Sequence, residues 1–176
     1  MSDPSSCCYY TVRRFFLLPI ALLLLVFGSA YRPIRALSAE MIQLREEIIC
    51  QAQQYVGIRY RYAGVSPTTG FDCSGFTSYI LKKFDVTVSC GSATQSLQGI
   101  KVPLSDVMPG DLMFFGRRGR IQHVAMVVEN TPNGIVCVHS TCSRGIVVEN
   151  VSTSAYWRPR ILFARDVLGR HTANVE

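Results

Sequence analysis

The chain has 176 residues, of which 48% are hydrophobic, 10% aromatic and 17% charged, and its formal net charge is +6. This length predicts one folded domain with a short additional segment. The composition excludes general disorder, a collagen, a coiled-coil rod and a small disulfide scaffold, for which seven cysteines are too dilute. Because seven is odd, at least one thiol has no partner within the chain.

An uncharged apolar run from Phe15 to Ala30 follows two arginines near the start of the chain. Arginines, an apolar stretch and a small-residue end are typical of a secretory signal peptide. The run is shorter than the about 20 residues that a bilayer span needs, yet an uncleaved signal anchor is the alternative. Residues 1–30 are therefore predicted to deliver the domain across a membrane, and residues 31–40 to form a linker.

The basic charge balance suits either nucleic acid or a polyanionic polymer of the cell envelope. The dense basic cluster of Arg117, Arg118 and Arg120 has no aromatic stacking pattern beside it. A nucleic-acid partner is therefore not predicted. We interpret the cluster as a solvated turn.

Apolar residues recur at helical spacing in two stretches after residue 40. The first predicts a helix over 41–55, and the second predicts a helix that opens at Asp72-Cys73-Ser74. A glycine- and proline-containing loop over 57–70 joins them. Ser92 and Gln95 have the spacing of a capping box, which predicts a short third helix that Gly99 closes.

After Gly99 the hydrophobic period changes from 3.6 to 2. Five short strands are predicted, separated by turn compositions: Asp111–Phe115, His123–Glu129, Ile135–Ser140, Ile146–Asn150 and Ile161–Arg165. Helices followed by strands favour an α+β domain whose sheet is mainly antiparallel.

Two histidines, His123 and His139, lie in predicted strands on either side of the turn over 131–134. In a hairpin closed at this turn, the two histidines lie within about two cross-strand residue pairs of each other. They share a face only if the register pairs residue 123 with an odd-numbered residue, and the sequence leaves that parity open. The third histidine, His171, lies in a polar tail.

Cys73 lies in the first turn of the second predicted helix, where unpaired N–H groups and the helix dipole favour negative charge. This position is expected to lower the pKa of the thiol and to raise the fraction of reactive thiolate. A nearby histidine forms an ion pair with such a thiolate, and a second polar group orients the imidazole. Cys73, His123 and His139 supply these three parts.

Structural roles are the alternative for the same residues. A cysteine in apolar surroundings is usually a small buried hydrophobe, and this is the alternative for Cys73. For His123 and His139, the alternative is a structural role as core residues with satisfied hydrogen bonds. Burial as a small hydrophobe is the preferred interpretation for three other cysteines: Cys50, Cys90 and Cys137. Cys137, His139 and Cys142 lack a second closely spaced pair of ligands, so no metal site is predicted.

Six motifs follow one another along the chain: Tyr60-Arg61-Tyr62-Ala63-Gly64, Gly70-Phe71-Asp72-Cys73-Ser74-Gly75-Phe76, Gln95, Pro109-Gly110-Asp111-Leu112-Met113-Phe114-Phe115, His123-Val124-Ala125-Met126-Val127-Val128 and Val138-His139-Ser140. Together they resemble the NlpC-type cell-wall cysteine peptidases, the family named after NlpC and P60. Their order and spacing, more than any one of them, carry the resemblance. It extends over nearly the whole domain, from about Met41 to Val167.

The resemblance implies a minimal papain-like fold over residues 41–168, with N-terminal helices packed on a sheet of about five to six strands and a tail over 169–176. It implies hydrolysis of peptidoglycan stem peptides, typically at the bond between γ-D-glutamate and a diamino acid. No metal or organic cofactor is required. The implied location is the bacterial cell envelope, in the periplasm.

Residue roles also follow from the resemblance, position by position. Cys73 is expected to be the nucleophile, His123 the general base and acid, and His139 the orienting residue. Three further residues match positions that line the substrate site in relatives: Tyr62, Asp72 and Ser74. Tyr62 is in addition a candidate donor to the oxyanion.

Two other functions remain open from the sequence. The apolar run over 15–30 would hold the domain at a bilayer if it is not cleaved, which favours an amidase or acyltransferase of the same fold that acts on a lipid or another non-wall substrate. A non-catalytic binding module of the envelope is the third hypothesis.

Overall fold

The computed structural model describes residues 34–169, with their side chains from residue 39 onward. The chain divides into two compact units, Met1–Glu40 and Met41–Glu176, and every contact discussed below lies in the second. The predicted export segment and nearly all of the predicted tail lie outside the described residues. Among the helices of residues 34–169, none is long and apolar enough to cross a bilayer.

The described chain forms three α-helices and eight strands. The helices are α1 (Ile34–Gln53), α2 (Cys73–Lys82) and α3 (Ser92–Gln95). Strands β1 (Val65–Ser66) and β2 (Gly70–Phe71) form a small antiparallel pair. The main sheet contains β3 (Ile100–Val102), β4 (Leu112–Arg117), β5 (Arg120–Thr131), β6 (Gly134–Thr141), β7 (Gly145–Asn150) and β8 (Ile161–Asp166). Two 3-10 turns lie at Leu104–Asp106 and Arg158–Arg160.

The six-stranded sheet has the order β3-β8-β4-β5-β6-β7, and each neighbouring pair is antiparallel. The predicted α+β fold with a mainly antiparallel sheet is confirmed. All five predicted strands occur, with ends displaced by a few residues. Strand β3 was not predicted, because its three residues include two exposed ones and are too few to display a period of 2.

Alternating side chains of the sheet pack into two separate cores, one on each face. On the helical face, Leu112 and Phe114 of β4 pack with Ile48 of α1 and Phe76 of α2. On the other face, Met113 and Phe115 pack with residues that include Trp157, which follows β7. This arrangement is what a strand period of 2 produces when both faces of a strand are buried.

Helix α2 begins where the sequence predicts. Asp72 is its N-cap, since one carboxylate oxygen accepts a hydrogen bond of 2.7 Å from the Gly75 amide. A Cβ atom added to Gly75 would lie 2.0 Å from the carbonyl oxygen of Gly64. Only glycine therefore lets the start of α2 approach the preceding loop this closely.

The predicted capping box of α3 is wrong. Gly91 is the N-cap, and no side chain caps the helix, which ends at Gln95 rather than near Gly99. The Gln95 amide group instead is fully buried and donates to the carbonyl oxygens of Ser74 and Ser89. Burial makes a tertiary partner more favourable than the local backbone for this side chain.

A buried ion-pair network fastens α1 to the sheet. Arg45 is only 1% exposed, and its two terminal nitrogens each lie 2.8 Å from a carboxylate, one of Asp111 and one of Asp166. Nη1 also donates to the carbonyl oxygen of Pro109 at 2.7 Å. The three charged side chains thereby join the helix to the start of β4 and the end of β8.

Candidate active site

Cys73 is the first residue of α2, as the sequence predicts, and its side chain is half-buried. The backbone amides of Val124, Ser74 and Cys73 itself act on the thiol by favouring its negatively charged form. Two of these amides belong to the unpaired N–H groups at the start of the helix. The third belongs to β5, so the thiol lies against the strand one residue after His123.

Burial raises the pKa of the Cys73 thiol, and the negative charge of Asp72 raises it further. The backbone amides of Val124, Ser74 and Cys73 act in the opposite direction but do not compensate. The expectation of a lowered thiol pKa at this position is therefore wrong. Desolvation of a buried thiolate outweighs the favourable field of the helix N-terminus.

The two imidazoles are direct neighbours in the structure. Nε2 of His123 and Nδ1 of His139 are 2.8 Å apart, within hydrogen-bonding distance. Both side chains project from the same face of the β5–β6 hairpin. The parity that the sequence leaves open is thus the one that brings the histidines together.

A β-bulge in the hairpin determines this parity. The register of β5 with β6 shifts between Val127 and Glu129. Continued without that shift, the pairing beside the turn would have placed His123 and His139 on opposite faces. The single extra residue therefore places both histidine rings on the same face of the hairpin. Bulges commonly reorient side chains in this way near functional residues.

Glu149 of β7 extends the histidine pair. Its Oε1 lies 2.9 Å from Nε2 of His139 and accepts a hydrogen bond of 3.0 Å from the Trp157 indole N–H. Arg144 donates to the same oxygen at 2.5 Å. Glu149 is not predicted from the sequence, because it lies in a predicted strand with no motif around it.

The hydrogen-bond series assigns the tautomers of both histidines. Glu149 accepts, so Nε2 of His139 carries the proton and Nδ1 of His139 is the acceptor. Nε2 of His123 must then be the donor. Nδ1 of His123 keeps its lone pair, and within residues 34–169 it makes no hydrogen bond to another group.

Burial lowers the pKa of His123 well below its usual value, and the neighbouring His139 lowers it further. Burial also lowers the pKa of His139, although the hydrogen bond and charge of Glu149 oppose this effect. Burial acts to raise the pKa of Glu149, but hydrogen bonds from His139 and Trp157 and the charge of Arg144 bring it below its usual value. Glu149 is therefore a carboxylate at neutral pH, and both histidines are neutral.

The indole of Trp157 stacks on the ring of His123, with ring centroids 4.6 Å apart and an interplanar angle of 25°. Trp157 also contacts the ring of His139 edge-on, at 4.9 Å. No hydrogen bond joins Cys73 to His123 in the described chain. The packing fixes the imidazole plane, and the lone pair on Nδ1 is the one left for an incoming proton.

The predicted substrate residues lie at the start of α2 and in the loop before it. Ser74 is buried and donates to Asp72 at 3.0 Å. Tyr62 is 86% exposed. Its neighbour in the loop, Tyr60, forms a β-bridge with Phe71, which brings it to the start of α2.

Tyr60 is a residue that the sequence interpretation missed. Burial raises its pKa to about 12, with further contributions from a hydrogen bond to Cys142 and from the charges of Cys73 and Asp72. The sequence signal for Tyr60 is as strong as that for Tyr62, since both belong to one motif. The bridge to Phe71 and the partial burial of Tyr60 distinguish the two residues in the structure.

The described cysteines are all free thiols: Cys50, Cys73, Cys90, Cys137 and Cys142. Cys137 is fully buried, as predicted. Cys50 and Cys90 are exposed, so their prediction as buried hydrophobes is wrong. Cys50 follows the apolar pair Ile48 and Ile49 on α1, but helical rotation turns it to the outer surface.

Residues 57–166 match the NlpC/P60 family. The γ-DL-glutamyl hydrolase of Bacillus subtilis is 31% identical over 133 residues, which is 73% of this chain and 31% of that protein. A crystal structure of an NlpC/P60 family protein from Bacillus cereus has a TM-score of 0.65 and 30% identity, covering 70% of this chain and 40% of the other.

The crystal structure of the NlpC/P60 domain of the peptidoglycan hydrolase SagA has a TM-score of 0.57 and 30% identity. That match covers 68% of this chain and 95% of the SagA domain. The curated relatives are longer than the matched region. The chain spans about a third or less of their length, 31% of the Bacillus subtilis hydrolase and 21% of a Listeria seeligeri endopeptidase.

Proposed function

Because this chain belongs to the NlpC/P60 family of cysteine peptidases, we propose that it hydrolyses amide bonds in peptidoglycan stem peptides, at the bond between γ-D-glutamate and a diamino acid. The carrying observation is the hydrogen-bond series Glu149–His139–His123, which leaves a basic nitrogen of His123 unoccupied on the strand that Cys73 contacts. Two relatives, a γ-DL-glutamyl hydrolase and a peptidoglycan hydrolase, support this substrate class.

Catalysis starts from a neutral thiol and a neutral imidazole. The pKa of Cys73 is raised and that of His123 is lowered, so the two do not form a standing ion pair. Sγ of Cys73 attacks the amide carbonyl carbon while its proton passes to Nδ1 of His123. His123 therefore acts as a general base during the attack, in the manner of a serine–histidine pair.

The carbonyl oxygen becomes an oxyanion in this step. The backbone N–H of Cys73, at the positive end of α2, is the proposed main donor to it. The family resemblance assigns a second donor to Tyr62, and the β-bridge of Tyr60 to Phe71, two residues before Cys73, supports Tyr60 for the same role. Either hydroxyl would donate to the developing charge.

Collapse of the tetrahedral intermediate expels the amine of the diamino acid. His123 protonates that nitrogen from Nδ1, and a thioester remains on Cys73. His123 then accepts a proton from water, the hydroxide attacks the thioester carbonyl, and the thiol is regenerated with release of the carboxylic acid. His139 and the Glu149 carboxylate hold the imidazole in position and stabilise its transient positive charge.

Asp72 and Ser74 are proposed to contact the acyl part of the substrate. One carboxylate oxygen of Asp72 accepts from Gly75 and Ser74, and its second oxygen accepts no hydrogen bond within residues 34–169. That oxygen suits the terminal ammonium group of a stem peptide. The envelope is the proposed location, with export or anchoring by residues 1–30.

Incubation of the full chain with purified stem peptides, followed by mass spectrometry of the products, tests the proposal. The wild type is expected to release a dipeptide that ends in γ-D-glutamate, and Cys73→Ala is expected to release none. Cys50→Ala is the matched control, because it removes an exposed thiol far along α1 and should retain wild-type cleavage. Equal cleavage by wild type and Cys73→Ala, or none by the wild type, would contradict the proposal.

A further inference from the structure

The turn between β4 and β5 carries three arginines within four residues: Arg117, Arg118 and Arg120. We propose that this turn, the arginine tip, is a docking site for a linear polymer of the cell envelope whose repeating anion is a phosphodiester. The inference goes beyond the proposed reaction, because it concerns how the domain attaches to its surroundings and not which bond it cleaves.

The arginine tip is unfavourable for the stability of its own hairpin. Arg117 and Arg120 are a directly opposed cross-strand pair, and like charges in such a pair are destabilising. Arg118 has a φ of 52°, in the left-handed region that side chains other than those of Asn and Asp rarely adopt. An Asn-Gly pair would close the same turn without strain or repulsion. Residues that break local rules in this way are expected at functional sites.

The domain does not neutralise the charge of the arginine tip. All three arginines are exposed, as a solvated turn requires. The four ion pairs within residues 39–169 belong to other residues, and none of the three guanidinium groups makes a hydrogen bond to another described residue. Three full positive charges therefore face the solvent from one turn.

The order of the sheet places further cations at the same end of the domain. β4 ends and β5 begins at the arginine tip, and the connection into β8, which carries Arg158 and Arg160, lies at this end because β8 is antiparallel to β4. Carboxylates lie near the opposite ends of β4, β5 and β8, at Asp111, Glu129 and Asp166. This separation of charge along the strands steers a polyanion toward the basic end.

The chemistry of the arginine tip favours phosphodiesters in a polymer. A guanidinium group binds phosphate through two parallel hydrogen bonds and is less strongly hydrated than the ammonium group of lysine. The charges of a phosphodiester polymer lie in its backbone, so several of them can bind without the cost of ordering side chains, which a carboxylate polymer would pay. Residues 116–121 have no exposed large apolar side chain, whereas a surface that enters a bilayer combines cations with such side chains.

Docking at the arginine tip would hold the catalytic site close to the polymer. His123 follows Arg120 by three residues on β5, which is about 10 Å along the strand. A polymer that is attached to the wall and bound at the tip therefore raises the local concentration of stem peptides at the site, as a second binding contact does in a linked pair.

The test measures binding of the full chain to labelled, lipid-free poly(glycerol phosphate) by fluorescence anisotropy over a range of salt concentrations. Every protein carries Cys73→Ala, so that binding is measured without cleavage. The tip variant replaces the three arginines by glutamine: Arg117→Gln, Arg118→Gln and Arg120→Gln. The control variant removes the same charge from three exposed lysines elsewhere: Lys82→Gln, Lys83→Gln and Lys101→Gln.

The tip variant is expected to bind about tenfold or more weakly than the parent at low salt. Its plot of log affinity against log salt should be less steep by about two, because each phosphate contact contributes a slope of about 0.7–0.9. The control variant should stay close to the parent in both. Equal losses in the two variants would overturn the inference, since binding would then depend only on net charge.

Two further probes address the nature of the anion. Poly-L-glutamate of the same length is expected to bind more weakly than poly(glycerol phosphate), and equal affinity would overturn the phosphodiester assignment. Vesicles of phosphatidylglycerol and of phosphatidylcholine are compared with the polymer. A preference for the anionic vesicles over the polymer that the tip variant abolishes would overturn the polymer as the partner.

Arg118→Asn separates docking from a structural role of the turn. Asn tolerates the left-handed conformation, so this variant should bind the polymer more weakly and unfold at the same temperature as the wild type or a higher one. A lower unfolding temperature would overturn the functional interpretation of Arg118, because the arginine would then stabilise the hairpin.

Cleavage of soluble stem peptides separates this inference from the proposed function. With Cys73 restored, the tip variant should cleave them at the wild-type rate, and a loss would overturn the inference, because the tip would then act within the site. Polymer binding that depends on the tip, without cleavage by the wild type, would support docking and refute the proposed reaction. Cleavage without such binding would support the reaction and refute docking.

Discussion

The ion-pair network of Arg45 and the hydrogen-bond network of His139 differ in whether their terminal groups are paired. Around Arg45 one cation is enclosed between two carboxylates, of Asp111 and Asp166, at 1% exposure or less. Around His139 one carboxylate, Glu149, holds a series of two imidazoles that ends on the lone pair of His123.

The difference separates stability from chemistry. The Arg45 network is closed in charge, because both terminal nitrogens are paired with carboxylates, and within the described residues only its buried Nε has no hydrogen-bond partner. The His139 network is open at one end, because Nδ1 of His123 keeps a lone pair that no described residue occupies. A closed buried network holds elements in place, whereas an open one retains a group that can still exchange a proton.

Breaking the open network at its reactive end should have the largest effect on catalysis. We expect His123→Ala to lower kcat/KM on stem peptides by about 10³-fold, since the general base and acid are removed. Thermal unfolding should show a folded protein, because His123 is not needed to neutralise a buried charge. Retention of more than about a tenth of wild-type activity would contradict the assigned role.

Breaking the closed network should instead have the largest effect on stability. Arg45→Ala leaves two carboxylates buried without their cation, and we expect a loss of about 3–5 kcal/mol in the free energy of unfolding. Urea denaturation measures this loss, with exposed Lys82→Ala as the control within about 0.5 kcal/mol of the wild type. At temperatures where Arg45→Ala is still folded, its kcat should be close to that of the wild type.

Glu149→Gln keeps the shape of the side chain at the other end of the histidine series and removes its charge. We expect kcat to fall by about 10- to 100-fold with little change in KM, a size typical of residues that orient a functional histidine. Glu149 raises the pKa of His139, so its loss lowers the histidine pKa and shifts the acidic limb of the pH–rate profile to lower pH. Glu149→Asp should restore part of the activity, and an unshifted profile would argue against the orienting role.

The smallest expected effect is the pH dependence of stability. The pKa values of His123 and His139 are lowered in the folded domain, whereas the unfolded chain binds protons near the usual value of about 6.5. The contribution of these two histidines to the free energy of unfolding is therefore fully present above about pH 6.5, and it is lost as the pH falls below that value. We expect the unfolding temperature to decrease between pH 7 and pH 5.5, with a shallower decrease in His123→Gln. A pH-independent unfolding temperature over this range would contradict the lowered values.

The sequence predicts the fold class, five strands of the sheet and the place of Cys73 at a helix start, because these depend on local periodicity and capping. It does not predict which face the histidines share, since that depends on one bulge between Val127 and Glu129. Glu149 and Tyr60 also escape prediction, because their roles arise from partners that are distant in sequence.

The direction of the Cys73 pKa shows a further limit. Its position at the helix N-terminus was visible in the sequence, and it predicts a lowered value. Burial against β5 was not visible, and it decides the sign. The pKa of the thiol depends both on the local field of the helix and on its burial by residues distant in sequence, and the burial is seen only in the structure.

The mass of the covalent intermediate tests the proposed reaction of Cys73 directly. The full chain is mixed with a stem peptide, quenched in acid within the first turnover and digested, and the peptide that contains Cys73 is weighed. We expect an added L-Ala-γ-D-Glu acyl group on Cys73, and none in Cys73→Ala. An acyl group on another residue, a fatty acyl group on Cys73, or turnover with no covalent species would contradict the proposed reaction.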